Sequence, residues 1–221
     1  MKKISVVLVV VSILAACSST PQIADQPSSK LGVENFYEVS KLQQFSSAYI
    51  RSVDAIQGYD SLMFEPLGLS DFTIDTSRLD RSNDTWTVRP GDKEKAMQHF
   101  AGELESAYRG GKRSLTLVGK PSNATLRVAF ELVMFKPNAP RDSIKDRTNS
   151  ASYFAEGAGR LYMKTRVYSA ISDELLLVIE DDRELGSTWQ QDNRMNNTRR
   201  FKQGLNTWII RLDKALADLQ Q

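Results

Sequence analysis

Cysteine and histidine are almost missing from this chain: its 221 residues hold one of each, Cys17 and His99. A lone cysteine forms no intrachain disulfide, and nothing after it supplies a thiol nucleophile. One histidine allows at most one histidine-based triad, and a metal site built from several His and Cys ligands is excluded by count. No segment repeats at a period that would mark a solenoid. No apolar run is long enough to span a bilayer, which takes roughly 20 residues as a helix. An excess of one charge is lacking too. There are 29 Lys and Arg against 27 Asp and Glu, and Lys2 and Lys3 account for the difference. Nucleic-acid binders usually concentrate a basic excess on one face, so no nucleic acid is expected as a partner.

What is present begins with an address. Lys2 and Lys3 precede a mostly apolar stretch from Ile4 to Leu14, the order of charge then grease that marks a cleavable secretory signal over residues 1–16. The stretch closes on Leu14-Ala15-Ala16-Cys17, which resembles the lipobox of bacterial lipoproteins, where the cysteine thiol receives a diacylglyceryl group. One acyl chain holds a protein only marginally, whereas two or more anchor it stably. Similarity to the sorting rules of Gram-negative lipoproteins implies, from Ser18 in place of Asp, delivery to the outer membrane. Residues 17–40 are expected to be a lipidated flexible tether, since Ser18 to Lys30 is rich in Ser, Pro and Gln with little to bury. Residues 41–221 are then long enough for one periplasmic domain that needs no metal or disulfide.

Within that domain the periodicities give the elements. Tyr59 to Leu67 reads as a strand with Leu62 and Phe64 on one face, closed by Pro66, and a shorter extended piece near Tyr49 to Val53 precedes it. Asp92 to Tyr108 reads as an amphipathic helix, with Ala96, Phe100, Leu104 and Ala107 along its stripe, Asp92 as cap, and Gly110 and Gly111 as terminators. Ser114 to Val118 is a short strand. Thr125 to Phe135 is a long one, with Leu126, Val128, Phe130, Leu132 and Met134 assigned to its core face. Lys136 to Gly159 is a long loop. Arg160 to Ser169 alternates, Leu161, Met163, Thr165 and Val167 inward and Tyr162, Lys164, Arg166 and Tyr168 outward. Leu175 to Ile179 is apolar throughout, as in a strand covered on both sides. Arg199 to Leu219 carries the stripe of a second helix. The economical packing is α+β in two layers: a largely antiparallel mixed sheet with both helices on one face.

The segments Tyr59 to Pro66, Leu117 to Pro137 and Leu161 to Gly186, with a final Trp-bearing helix, resemble an uncharacterised family of bacterial lipoproteins carrying domain of unknown function 3313. The resemblance covers roughly Tyr49 to the C-terminus. It departs at Ile171 to Glu174, where the family tends to place a Thr-Gly turn. Asp182-Arg183 with Gly186 matches an acidic and basic pair that recurs in the family. The resemblance implies an envelope lipoprotein and no established reaction.

Chemistry is sparse. His99 sits beside the stripe of the first helix and reads as a surface or satisfied core histidine rather than a general base. Glu180 to Asp182 ends a strand, either in solvent with Arg183 pairing locally or as a carboxylate pair or calcium site. Arg194, Arg199 and Arg200 oppose the dipole at the start of the second helix, so they bind an anion or a carboxylate partner, or bridge to Glu180 to Asp182. The outward row Tyr162, Lys164, Arg166 and Tyr168 mixes rigid aromatic area with charge, which suits a protein or glycan contact or simply the wet face of a sheet. No catalytic residue, cofactor or metal is assigned. The leading expectation is a non-catalytic envelope interaction module, meeting another envelope protein or the cell-wall glycan through that row and the Lys136 to Gly159 loop. A small-ligand or lipid carrier, which requires an apolar cavity, is the alternative; a carboxylate-dependent glycan hydrolase using Asp181 or Asp182 is the third.

Overall fold

The computed structural model describes residues 21–221 apart from 33, 34, 44, 53, 80–85, 112 and 142–153. Cys17 and half of the loop assigned to Lys136 to Gly159, residues 142–153, lie outside the described residues. In chain order the elements are β1 (Gln22–Pro27), β2 (Tyr37–Ser40), β3 (Ser47–Ile50), β4 (Ser61–Phe64), β5 (Thr73–Ile74), α1 (Asp92–Tyr108), β6 (Thr116–Leu117), β7 (Thr125–Pro137), β8 (Phe154–Glu156), β9 (Gly159–Ser169), β10 (Leu175–Glu184), β11 (Trp189–Gln191) and α2 (Arg194–Asp218). Nine strands form one sheet in the order β1-β2-β3-β10-β9-β7-β4-β6, with β5 also on β7, and β11 pairs β8 in a separate ribbon. β4 runs parallel to β7 and β6, and β5 parallel to β7; the other described pairings are antiparallel. The fold is α+β.

Alternation builds the core. Leu126, Val128, Phe130 and Leu132 of β7, Leu161, Met163 and Val167 of β9, and Leu177 and Ile179 of β10 are buried with Phe100 of α1 and Leu205, Trp208, Ile209, Leu212 and Leu216 of α2. Phe130 stacks on Phe64 at 5.8 Å and meets Phe100 edge-on at 5.4 Å, which seats α1. Trp208, wholly buried, seats α2; losing such a side chain typically costs about 3–5 kcal/mol. The other face of the sheet is mostly polar. Near β3 it carries its own small cluster of Phe36, Tyr49 and Val178, which explains why the apolar run in β10 is buried on both sides.

Four sequence expectations need correction. Gln22–Pro27 is not tether but an edge strand, Gln22 opposite Ser40. Its side chains are largely exposed, and because a strand is held by backbone bonds, polar side chains hid it. Met134 does not share the core face with Leu132: a bulge between them pairs Leu132 with Met163 but Met134 with Tyr162. The extra residue, Val133, resets the alternation, and Phe135 takes the inward place. Asp92 does not cap α1. Gly91, at φ 80°, is the N-cap, and Asp92 as the first helical residue accepts instead from the Arg89 N–H at 2.8 Å. Finally, α2 starts at Arg194 because Asn193 caps it, its side chain accepting from Asn196 N–H at 2.9 Å; the polar first turn has no stripe to reveal it.

Candidate functional site

Tyr162, Lys164, Arg166 and Tyr168 do point away from the helices, but the sheet itself occupies them. Lys164 pairs with Glu180 at 2.9 Å and Arg166 with Glu131 at 2.7 Å, both across adjacent strands. The Arg127 guanidinium lies 4.2 Å above the Tyr168 ring and also pairs with Glu65 and Asp173. Lys136 sits 5.7 Å over Tyr162 and 2.9 Å from Asp75, and its ammonium holds the Asp75 carboxyl well below the usual range. Arg160 bridges Asp182 at 2.8 Å and Glu184 at 3.1 Å. These are partly exposed pairs of the kind that contribute little to stability. Together they neutralise the face.

Asp182 and Arg183 do not pair with each other. Neighbours along a strand face opposite sides, so Asp182 meets Arg160 on the open face while Arg183 turns to Asp181 on the helix side, at 3.5 Å. Asp181 is the deepest of this acidic run, 5% exposed. Its Oδ2 accepts from Trp208 Nε1 at 2.6 Å and Arg211 Nη1 at 3.3 Å, and its Oδ1 from Ser46 N and Oγ, each at 3.1 Å. A carboxylate so fully engaged ties β10, α2 and the β2–β3 connection together. Among the described residues Arg194, Arg199 and Arg200 make no bridge to Glu180 to Asp182: Arg199 donates to Gln190 at 2.7 Å, and buried Arg200 donates to the carbonyls of Thr188 at 2.8 Å and Ala155 at 3.3 Å and lies 4.0 Å from the carboxylate of Asp192. It is Arg211 that reaches Asp181. Among the described residues no group of three or more His, Cys, Asp or Glu gathers for a metal.

Concavity lies at the other end of the helix layer. Between the N-terminal halves of α1 and α2 and the β5–β7 edge is a pocket of about 400 Å³. Its apolar walls include Phe72, Ile74, Trp86, Leu132, Phe135 and Phe201. Arg89, Lys93, Lys95, Arg141 and Arg194 also line it, with Asp92 as the one carboxylate among the described residues. Arg141 pairs with Asp92 at 3.0 Å and Lys93 donates to the Leu69 carbonyl at 2.9 Å. Trp86 is pinned by its Nε1–H to the Ala139 carbonyl at 2.7 Å and packs edge-on against Phe135 at 5.3 Å. His99 borders the pocket 6.3 Å from the Phe201 ring, and burial, with Lys202 beyond, lowers its pKa. A second depression, about 650 Å³, runs along α2 past Thr198, Lys202, Gln203 and Asn206, but it is open and polar. The walls of the apolar pocket come from segments far apart in sequence, so spacing within any one of them could not announce it.

The family model fits this chain from residue 28 to residue 212. The chain belongs to the family described as protein of unknown function, DUF3313. The DUF3313 match starts earlier than the resemblance in the sequence, taking in β2 and β3. No curated protein matches this DUF3313 chain in sequence. Among solved structures it is similar to the PelC dodecamer from Paraburkholderia phytofirmans, with 8% identity, 71% of this chain and 91% of that chain covered, and a TM-score of 0.37. It is also similar to a DUF330 protein from Xanthomonas campestris (9% identity, 75% and 89% covered, TM-score 0.41). A third is a putative neuraminyllactose-binding hemagglutinin homolog from Helicobacter pylori (8% identity, 71% and 82% covered, TM-score 0.31).

Proposed function

We propose that this chain is a lipid-anchored envelope protein, held at the outer membrane through Cys17, whose domain is a non-catalytic binding module. Its ligand site is the pocket between α1 and α2, and its ligand is a small molecule with an apolar body and an anionic end. The observation that carries this reading is the pocket's make-up: aromatic and aliphatic walls with, among the described residues, five basic side chains and one acid around them. Its volume falls within the range of small-molecule sites, about 300–1,000 Å³. The row Tyr162 to Tyr168 is the weaker candidate for a ligand, because its two cations already have carboxylates at 2.9 Å and 2.7 Å. The lipobox-like Leu14 to Cys17 supports the anchor, and Ser18 the outer membrane.

Titration with a dansylated medium-chain fatty acid tests the site. Saturable binding is expected, weakened about tenfold, or roughly 1.4 kcal/mol, by Arg89→Glu combined with Lys95→Glu. Both side chains are exposed, so the fold is retained. Binding that does not saturate, or that ignores this charge reversal, would overturn the assignment.

A further inference from the structure

The β8–β11 ribbon carries apolar surface that nothing among the described residues covers. Trp189 pairs with Glu156 and Gln191 with Phe154; directly opposed residues share a face, so Trp189 and Phe154 project together while Ala155, on the other face, is buried. Phe154 is 53% exposed and Trp189 67%, and Met195, four residues past the ribbon in the first turn of α2, is 76% exposed. Single exposed apolar residues are ordinary, but two large aromatics on one ribbon face with a methionine following mark a contact surface. Arg194, which also borders the pocket between α1 and α2, and Arg199, one helical turn past Met195, are exposed, and among the described residues neither has a carboxylate partner. Glu156 is the one exposed acid on the ribbon.

The sheet register says which way this surface faces. Gln22 lies opposite Ser40, Glu38 opposite Tyr49, and Ser47 opposite Glu180. The first residue of β1 is therefore in the row of Glu180, at the end of the sheet toward which β10 runs. β10 continues to Glu184, opposite Arg160, and the ribbon leaves from there through Leu185, whose carbonyl accepts from Ala158 N–H at 2.8 Å. The chain before Gln22 thus departs from the same end of the sheet as Trp189 and Phe154. Only four residues lie between Cys17 and Gln22, five steps of chain with a reach of about 18 Å at most. β1 and β10 are three strand spacings apart, about 14 Å. An acyl group on Cys17 would hold this end of the domain, and no other, against the bilayer.

We propose that Phe154, Trp189 and Met195, flanked by Arg194 and Arg199, form a face that lies in the headgroup region of the anchoring membrane and prefers anionic lipid. Tryptophan is favoured at that depth because its ring is apolar and its N–H still finds a partner, and exposed arginines meet lipid phosphates. The inference rests on the Cys17 anchor proposed above.

The test reconstitutes the lipidated full chain into vesicles of brominated phosphatidylcholine with or without phosphatidylglycerol, and reads tryptophan emission. Trp208 is buried and Trp86 half-buried in the domain, so lipid quenching should come from Trp189. It should be lost in Trp189→Phe and fall several-fold in Arg194→Glu with Arg199→Glu, most clearly in the anionic vesicles. Protein that floats with vesicles yet shows no quenching, or quenching that survives Trp189→Phe, overturns this face while leaving the anchor standing; crosslinks from position 189 to a protein in that case assign the surface to a protein partner. Protein that does not float overturns the anchor and this inference together.

Discussion

Replacing Asp181 by Asn should cost about 2.5–4 kcal/mol, because the amide keeps the shape of the carboxylate but not its charge or its capacity to accept at both oxygens. The estimate is assembled from its partners. Trp208 Nε1–H donates to Oδ2 at 2.6 Å from a side chain that is otherwise wholly buried; losing a charge-assisted bond and stranding that donor accounts for about 1.5–3 kcal/mol. Arg211, with only 13% of its side chain exposed, loses its carboxylate at 3.3 Å and keeps its bond to the Gln43 carbonyl, so its share is about 1 kcal/mol. With the amide nitrogen in the Oδ2 place, the Ser46 N–H and hydroxyl at 3.1 Å keep Oδ1 as acceptor. With a urea m value of about 2 kcal/mol per molar, the midpoint should drop by roughly 1.2–2 M. Trp208→Phe keeps the ring and removes only the N–H, for about 1–2 kcal/mol alone. The double variant should cost at least about 1 kcal/mol less than the sum, since both changes delete the same bond. A loss under about 1 kcal/mol for Asp181→Asn, or strict additivity with Trp208→Phe, would refute the view that this carboxylate joins the sheet to α2.

Two glycine substitutions should part company. At Gly159, φ is 137° and a Cβ would lie 2.3 Å from the Lys136 carbonyl oxygen and 2.8 Å from Pro137 Cα; backbone cannot yield, so Gly159→Ala should cost about 3 kcal/mol or more in urea unfolding. At Gly204 the Cβ would meet Leu185 Cδ2 at 2.7 Å, the far end of a flexible side chain. The gain in helix propensity of about 1 kcal/mol should leave Gly204→Ala within about 1 kcal/mol of the parent. Equal losses at the two sites would contradict this. His99 supplies the pH dependence: burial and Lys202 lower its pKa below the unfolded value of 6.5. The unfolded chain therefore binds more protons just below pH 6.5, and stability falls as pH drops through that region. His99→Gln should flatten the change in urea midpoint between about pH 7.5 and 5.5, and an unchanged slope would show that other groups control it.

How far the sequence reveals the molecule depends on whether a residue's environment is set by its own element or by a distant one. β7, β9, β10 and α1 were legible because one face of each meets the core, so burial writes a period of two or 3.6 into the residues themselves. β1 was not, since an edge strand of exposed polar residues is paired through backbone alone. The bulge at Val133 was invisible for a related reason: register is a property of two strands, and β7 by itself alternates as if unbroken. The outward row on β9 was oriented correctly, but its meaning changed once Glu131 and Glu180 stood beside it on neighbouring strands. Asp181 is the instructive miss. Leu177 and Ile179 are core residues, and continuing their alternation by two puts Asp181 on the helix side of β10, where a bare carboxylate would cost several kcal/mol. The parity of the strand thus already demanded buried donors for Asp181, and α2 carries two, Trp208 and Arg211, one helical step of three apart. Together, the two periodicities pair sheet with helix from the sequence alone. The pocket has no such shortcut, because Phe72, Trp86, Phe135 and Phe201 belong to four segments and their convergence is made only by the closed fold.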